Sequence, residues 1–102
     1  PLNPPADTAS AETVKRGGAI YARYCGVCHG DAAIAGGVTP DLRHSAMLGD
    51  ADGWQTIVHD GALAQNGMVG WSKLLSRSDI DSVRAYVIHR AHEDKALAAA
   101  KP

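Results

Sequence analysis

The strongest constraint in this sequence is the run Cys25-Gly26-Val27-Cys28-His29. It uses the only two cysteines of the chain and follows them at once with a histidine. A secreted disulfide scaffold would carry more cysteines at wider spacings. A thioredoxin-like pair would need a βαβ context, and no alternating strand pattern is present. A structural zinc site needs four ligands in recognisable pairs, and no second pair follows. His44 and His59 could in principle complete one, but isolated histidines are more often ordinary surface groups.

The pattern C-x-x-C-H fits covalent attachment of one haem c. Two thiols add across the two vinyl groups and become thioethers. The short spacer sets them on adjacent edges of the ring, and His29 then lies under the iron as an axial ligand. Composition points the same way. A chain of 102 residues makes one small domain, and this one has no Phe and only 5% aromatic residues. Such a chain builds a thin core unless a buried group supplies apolar bulk.

The rest of the pattern is helical. Pro1 to Ala9 reads as an extended linker, because its prolines fix φ and disfavour helix before them. Ser10 or Thr13 caps a first helix running to about Tyr24, with Val14, Gly17, Ile20 or Tyr21, and Tyr24 inward. Gly17 and Gly18 cost about 1 kcal/mol each inside a helix. Either another backbone passes close to them or the helix starts after Gly18; spacing alone leaves both open. Gly36 to Thr39 is loop, ending at Pro40, and a short helical stretch is expected at Arg43 to Leu48. Asp52 or Gly53 precedes a helical pattern from Trp54 to Val58 that ends by Gly61. Ala62 to Trp71 is irregular, with Gly67 and Gly70, and Ser72 to Leu75 forms one more turn. Ser78 is the expected cap of the last helix, with Asp81 as its partner and Ile80, Val83, Val87 and Ala91 as its apolar stripe. The expected organisation is a linker over 1–9, a domain over 10–95 and a fraying tail over 96–102.

At this point the sequence resembles a class I cytochrome c, from about Thr13 to about Ala91. Gly17, Tyr21 and Cys25 stand at equal four-residue steps, like the glycine, aromatic and first cysteine of that family. The resemblance implies an all-α fold in which the N- and C-terminal helices cross beside the haem, with Gly17 at the crossing and Tyr86 as the aromatic of the last helix. It implies that the Pro40 carbonyl accepts the second ring N–H of His29, which would fix the tautomer and raise ligand basicity. Leu42 would then line the haem pocket. The candidates for the second axial ligand are Met47, Met68, His44 and His59. Met68 lies in Gly67-Met68-Val69-Gly70, where flanking glycines let the backbone approach closely. Family cytochromes place a methionine there, so the resemblance favours Met68, with Met47 as core packing. Trp54 or Arg43 is a candidate partner for a haem propionate, and Trp71 for packing near Met68. The alternatives are a core indole and a solvated guanidinium. The apolar loop Ala32 to Gly37 is a candidate docking surface around the haem edge, or it simply tucks against the ring.

A narrower similarity lies in Pro40-Asp41-Leu42-Arg43, Trp54-Gln55-Thr56-Ile57-Val58, Gly61-Ala62, Gly67-Met68 and Arg84-Ala85-Tyr86-Val87. These resemble the C-terminal haem domain of quinohaemoprotein alcohol dehydrogenases. There an N-terminal β-propeller holds pyrroloquinoline quinone (PQQ), oxidises an alcohol and sends electrons one at a time to the haem domain. The resemblance implies that PQQ belongs to a partner domain, fused upstream, and that the external acceptor is a redox protein or quinone. The alternative is a free-standing periplasmic carrier or the cytochrome subunit of another respiratory complex. Alone, the chain is expected to catalyse nothing.

Charge and length exclude other classes. Ten basic and eleven acidic side chains give a net charge of -1, without the basic face that nucleic acid requires. No apolar run approaches a membrane span. The start is Pro-rich and uncharged, unlike a secretory signal, and lacks Met. A processed or excised chain is therefore expected. Covalent haem attachment implies export, most plausibly to the bacterial periplasm, and a carrier this small is expected to be a monomer.

Overall fold

The structure, a computed structural model, describes residues 2–30 and 42–100. Helix α1 spans Ala11–Tyr24, and the short α2 spans Gly26–His29. Two 3-10 turns follow at Leu42–His44 and Ala46–Gly49, then α3 at Ala51–Val58. A third 3-10 turn at Ala64–Asn66 precedes the long α4 at Arg77–Ala100. Among the described residues there is no strand, and the architecture is all-α as expected.

Helix α1 begins where Ser10 accepts from the Thr13 amide at 3.1 Å. It packs chiefly against α4, and the contact is set by glycine. A Cβ placed on Gly17 would lie 1.8 Å from the Ser82 carbonyl oxygen, so two backbones touch there. One on Gly18 would lie 3.0 Å from the Tyr86 ring. The open question over these glycines is thereby answered: the helix runs through both. At Gly17 the helical penalty is offset by a backbone contact that no residue with a side chain permits.

The core gathers around this crossing. Tyr21, Leu48, Ile80, Val83 and Val87 are its largest fully buried side chains, joined by Trp54, Val58, Leu75 and Ile88. From α4 it takes Ile80, Val83, Val87 and Ala91, the stripe read from the sequence, plus Ile88. Helix α3 and the Ala46–Gly49 turn are tied to α4 by long-range bonds. Arg84 Nε donates to the Leu48 carbonyl at 3.0 Å, and Gln55 Nε2 to the Arg77 carbonyl at 2.9 Å.

Three boundaries differ from the sequence reading. Helix α4 is capped by Ser76, not Ser78. Ser76 Oγ accepts from the Asp79 amide at 3.1 Å, while Asp79 Oδ2 accepts from the Ser76 amide at 3.0 Å. This is a reciprocal capping box with Asp in the acidic position. The Ser76 amide is the main reason the Asp79 carboxyl titrates below its ordinary value, with the Ser76 hydroxyl and Arg16 adding to it. Helix α3 starts at Ala51, because the Asp50 carboxylate accepts from the Gly53 amide at 2.9 Å, ahead of the expected Asp52 or Gly53. Helix α4 also runs on to Ala100, through the stretch expected to fray.

The segment before Ser10 carries no regular secondary structure. It lies along α4, with the Asp7 carboxylate 2.9 Å from His89 Nδ1 and the Pro5 carbonyl accepting from His92 Nε2 at 2.6 Å.

Two substitutions test this packing by thermal or denaturant unfolding. Gly17→Ala is expected to destabilise by about 3 kcal/mol or more, because the added methyl meets backbone rather than a movable side chain. Ser76→Ala is expected to cost about 1 kcal/mol, and Ser78→Ala less than half of that. Equal effects of the two serine variants would contradict the assignment of the cap.

Candidate functional site

The motif continues α1 with almost no interruption. Cys25 keeps right-handed helical angles at the end of α1, and its carbonyl accepts from the amides of Cys28 at 3.2 Å and His29 at 3.0 Å. Residues three and four apart on a helical turn share one side. Cys25, Cys28 and His29 are therefore brought to one edge by backbone hydrogen bonding alone. The turn stops at Gly30, whose φ of 86° is left-handed and whose amide donates to the Gly26 carbonyl at 2.9 Å.

Tyr21 locks this turn to the core. It is 1% exposed, its ring lies 5.3 Å from that of Tyr86, and its hydroxyl donates to the Gly30 carbonyl at 2.7 Å. The sequence reading placed Tyr21 inward but missed this bond. The available signal was that a buried tyrosine hydroxyl needs an acceptor, and one turn on from Tyr21 is the motif itself.

The electrostatics of the two thiols differ. Cys28 is exposed. Burial, reinforced by the neighbouring Cys28, pushes the Cys25 thiol up to about 11. Redox-active C-x-x-C thiols are shifted the other way, by electropositive surroundings. The Cys25 environment favours a neutral sulfur, and a thioether is neutral. His29 is buried at 9% exposure. Tyr24, Cys25, Leu42, Ile57, Met68 and Trp71, all partly buried, pack against the same core cluster. Together these residues fit a haem: two sulfurs in reach of one edge, an imidazole beside them, and apolar side chains around.

The other expected site residues fall into place unevenly. Leu42, expected to line a haem pocket, is partly buried and packs against the core cluster. Pro40 and the loop Ala32 to Gly37 lie outside the described residues. Met47 turns toward α3, where a Cβ on Gly53 would sit 2.8 Å from its sulfur. Trp71 packs against Tyr24, the last residue of α1, with ring centroids 5.3 Å apart and the planes tilted by 57°. His59 Nδ1 is 2.6 Å from Asp60, and His44 is exposed. Trp54 is a core indole, 4% exposed, donating from Nε1 to the Ile80 carbonyl at 3.3 Å, so its N–H is directed into the fold and not at a propionate. Arg43 is held rather than solvated. Its Nη1 donates to Asp94 at 2.7 Å, and Asp94 also accepts from Arg90 at 2.9 and 3.0 Å. This cluster pins the Leu42–His44 turn to α4, and sequence patterning did not reveal it. Arg43 and Asp94 are 51 positions apart.

Among the described residues no helix is long and apolar enough to cross a membrane. The family described as Cytochrome C oxidase, cbb3-type, subunit III, matches residues 12–87. The quinohemoprotein alcohol dehydrogenase ADH IIB of Pseudomonas putida is 39% identical over 87 residues, 85% of this chain and 12% of that protein. The dehydrogenase subunit of the quinone-dependent alcohol dehydrogenase of Komagataeibacter europaeus is 37% identical over 93 residues, 91% of this chain and 12% of that subunit. The solved structure of quinohemoprotein alcohol dehydrogenase ADHIIG from Pseudomonas putida HK5 superposes with a TM-score of 0.81 at 29% identity, over 92% of this chain and 14% of that one. The chain thus spans about an eighth of the length of these relatives. With the C-x-x-C-H turn, the helix crossing at Gly17 and this match over most of its length, the chain belongs to the cytochrome c family represented by the cbb3-type subunit III domain.

Proposed function

We propose that this chain is a one-haem electron carrier, with iron held between His29 and Met68, working as the electron outlet of a PQQ-dependent alcohol dehydrogenase. The observation that carries the first half is the Cys25–His29 turn, which presents two sulfurs and an imidazole on one edge, with the buried sulfur held neutral. The second half is supported by relatives named as quinohemoprotein or quinone alcohol dehydrogenases.

When bound, haem supplies one-electron chemistry between ferric and ferrous iron. The chain's own residues do the rest. Cys25 and Cys28 retain the group in a chain too small to enclose it. His29 offers a nitrogen ligand, oriented by the turn that Tyr21 fixes. Met68 offers a thioether, a soft neutral ligand that favours the ferrous state and raises the potential. With His29 and Met68 both offered to the iron, no position would be left for a substrate, and little rearrangement would accompany electron transfer. Arg43, held by Asp94, is the candidate donor to a propionate. A bacterial periplasmic setting and a monomeric state accompany this reading.

Expression with a haem-attachment system tests the ligands. The wild type should keep its haem on a denaturing gel, and the double variant Cys25→Ala/Cys28→Ala should lose the stain. Met68→Ala should abolish the weak red band of Met–ferric haem, lower the reduction potential and let carbon monoxide bind the reduced form. A Met68→Ala protein that keeps the band would remove Met68 from the site.

The fused arrangement is tested by the size of the native haem-staining polypeptide that reacts with an antibody to this domain. A band several times larger than this chain is expected. A band near 10.6 kDa would mean a free carrier.

A further inference from the structure

The segment from Val58 to Ser72 forms a loop closed at its base by two backbone bonds. The Trp71 amide donates to the Val58 carbonyl at 2.9 Å, and the Ser72 amide to the His59 carbonyl at 3.1 Å. Just inside that base the two limbs touch through glycine. A Cβ on Gly70 would lie 2.8 Å from Gly61 Cα, 2.9 Å from Gly61 N and 3.1 Å from the His59 carbonyl oxygen. Gly61 itself has φ of 81°, a left-handed value that side chains disfavour. A Cβ there would lie 3.3 Å from Gly70 Cα and N. Both limbs are backbone, so neither can yield by turning a side chain.

Met68 sits two residues from Gly70, and its amide donates to the Leu63 carbonyl at 3.2 Å within the same loop. We propose that the Gly61–Gly70 seam positions Met68, drawing the two limbs together so that the thioether reaches its place at the site. The proposal rests on Met68 being the axial ligand and extends it to the backbone that carries it. Two features set the sensitivity. Functional groups must be held within about 0.5 Å of the working geometry. A methyl on Gly70 requires the limbs to part by roughly that much or more to reach an ordinary contact distance. A neutral thioether, a weak ligand held by no charge, follows such a shift by dissociating.

The test uses the haem-loaded protein with Gly70→Ala, Gly61→Ala and Met68→Ala. Gly49→Ala serves as a control, since a Cβ there meets nothing within 4 Å. Gly70→Ala is expected to keep its helical circular dichroism and its covalent haem, lose most of the red Met–ferric band, fall in potential toward Met68→Ala and gain carbon monoxide binding. Gly61→Ala, which sets a left-handed φ of 81° beside a 3.3 Å contact, is expected to lose part of the band as well. Gly49→Ala should match the wild type. If Met68→Ala loses the band while Gly70→Ala keeps band and potential, the seam does not position the ligand and the proposal is overturned. If Met68→Ala keeps the band, the ligand reading itself fails. Should Gly70→Ala not fold, the partial band loss in folded Gly61→Ala decides: an intact band and potential there overturn the proposal.

Discussion

Everything in this fold depends on two backbones meeting at Gly17. With the Ser82 carbonyl where a Cβ would otherwise be, α1 and α4 approach more closely than side chains allow. Their angle and register are then set by main chain, which does not change rotamer. Tyr86 lies over Gly18, Tyr21 packs on Tyr86, and the Tyr21 hydroxyl reaches the last residue of the motif. The position of Cys25, Cys28 and His29 is thus inherited from the crossing. Nothing about the three residues themselves fixes where they point in the fold.

The irregular half is assembled differently. Its first two 3-10 turns and α3 are too short to hold themselves together, and each of the three is pinned to α4 by a polar contact. The Arg43–Asp94–Arg90 cluster holds the first 3-10 turn, Arg84 holds the second, and Gln55 and the Trp54 indole hold α3. Helix α4 is therefore both a packing partner and a rail to which the irregular half is attached. Buried and half-buried charge clusters of this kind add little net stability but fix register, because a misplaced segment would leave charges without partners.

Local signals in the sequence were legible where one residue decides the outcome. The α4 stripe and Ser10, one of two candidate caps with Thr13, could be read because caps and periodicity act over a single turn, whereas the role of Gly17 came from the family resemblance. The cap of α4 was misjudged because Ser76 and Ser78 both precede an aspartate three residues on, and only the chain's path selects between them. The last turns of α4 were underestimated although Lys95-Ala96-Leu97-Ala98-Ala99-Ala100 is made of strong helix formers. For Trp54 and Arg43 a propionate partner stood beside a core indole and a solvated guanidinium, because the acceptors they use, Ile80 and Asp94, are 26 and 51 positions away. Contacts of that range belong to the tertiary fold and leave no periodic trace.

The N-terminal segment carries a geometric consequence of being gripped by His89 and His92. Held at Pro5 and Asp7 by imidazoles of α4, the chain ahead of Ser10 runs alongside α4 instead of departing from the head of α1. Two imidazoles thereby set the direction in which this segment leaves the helix crossing.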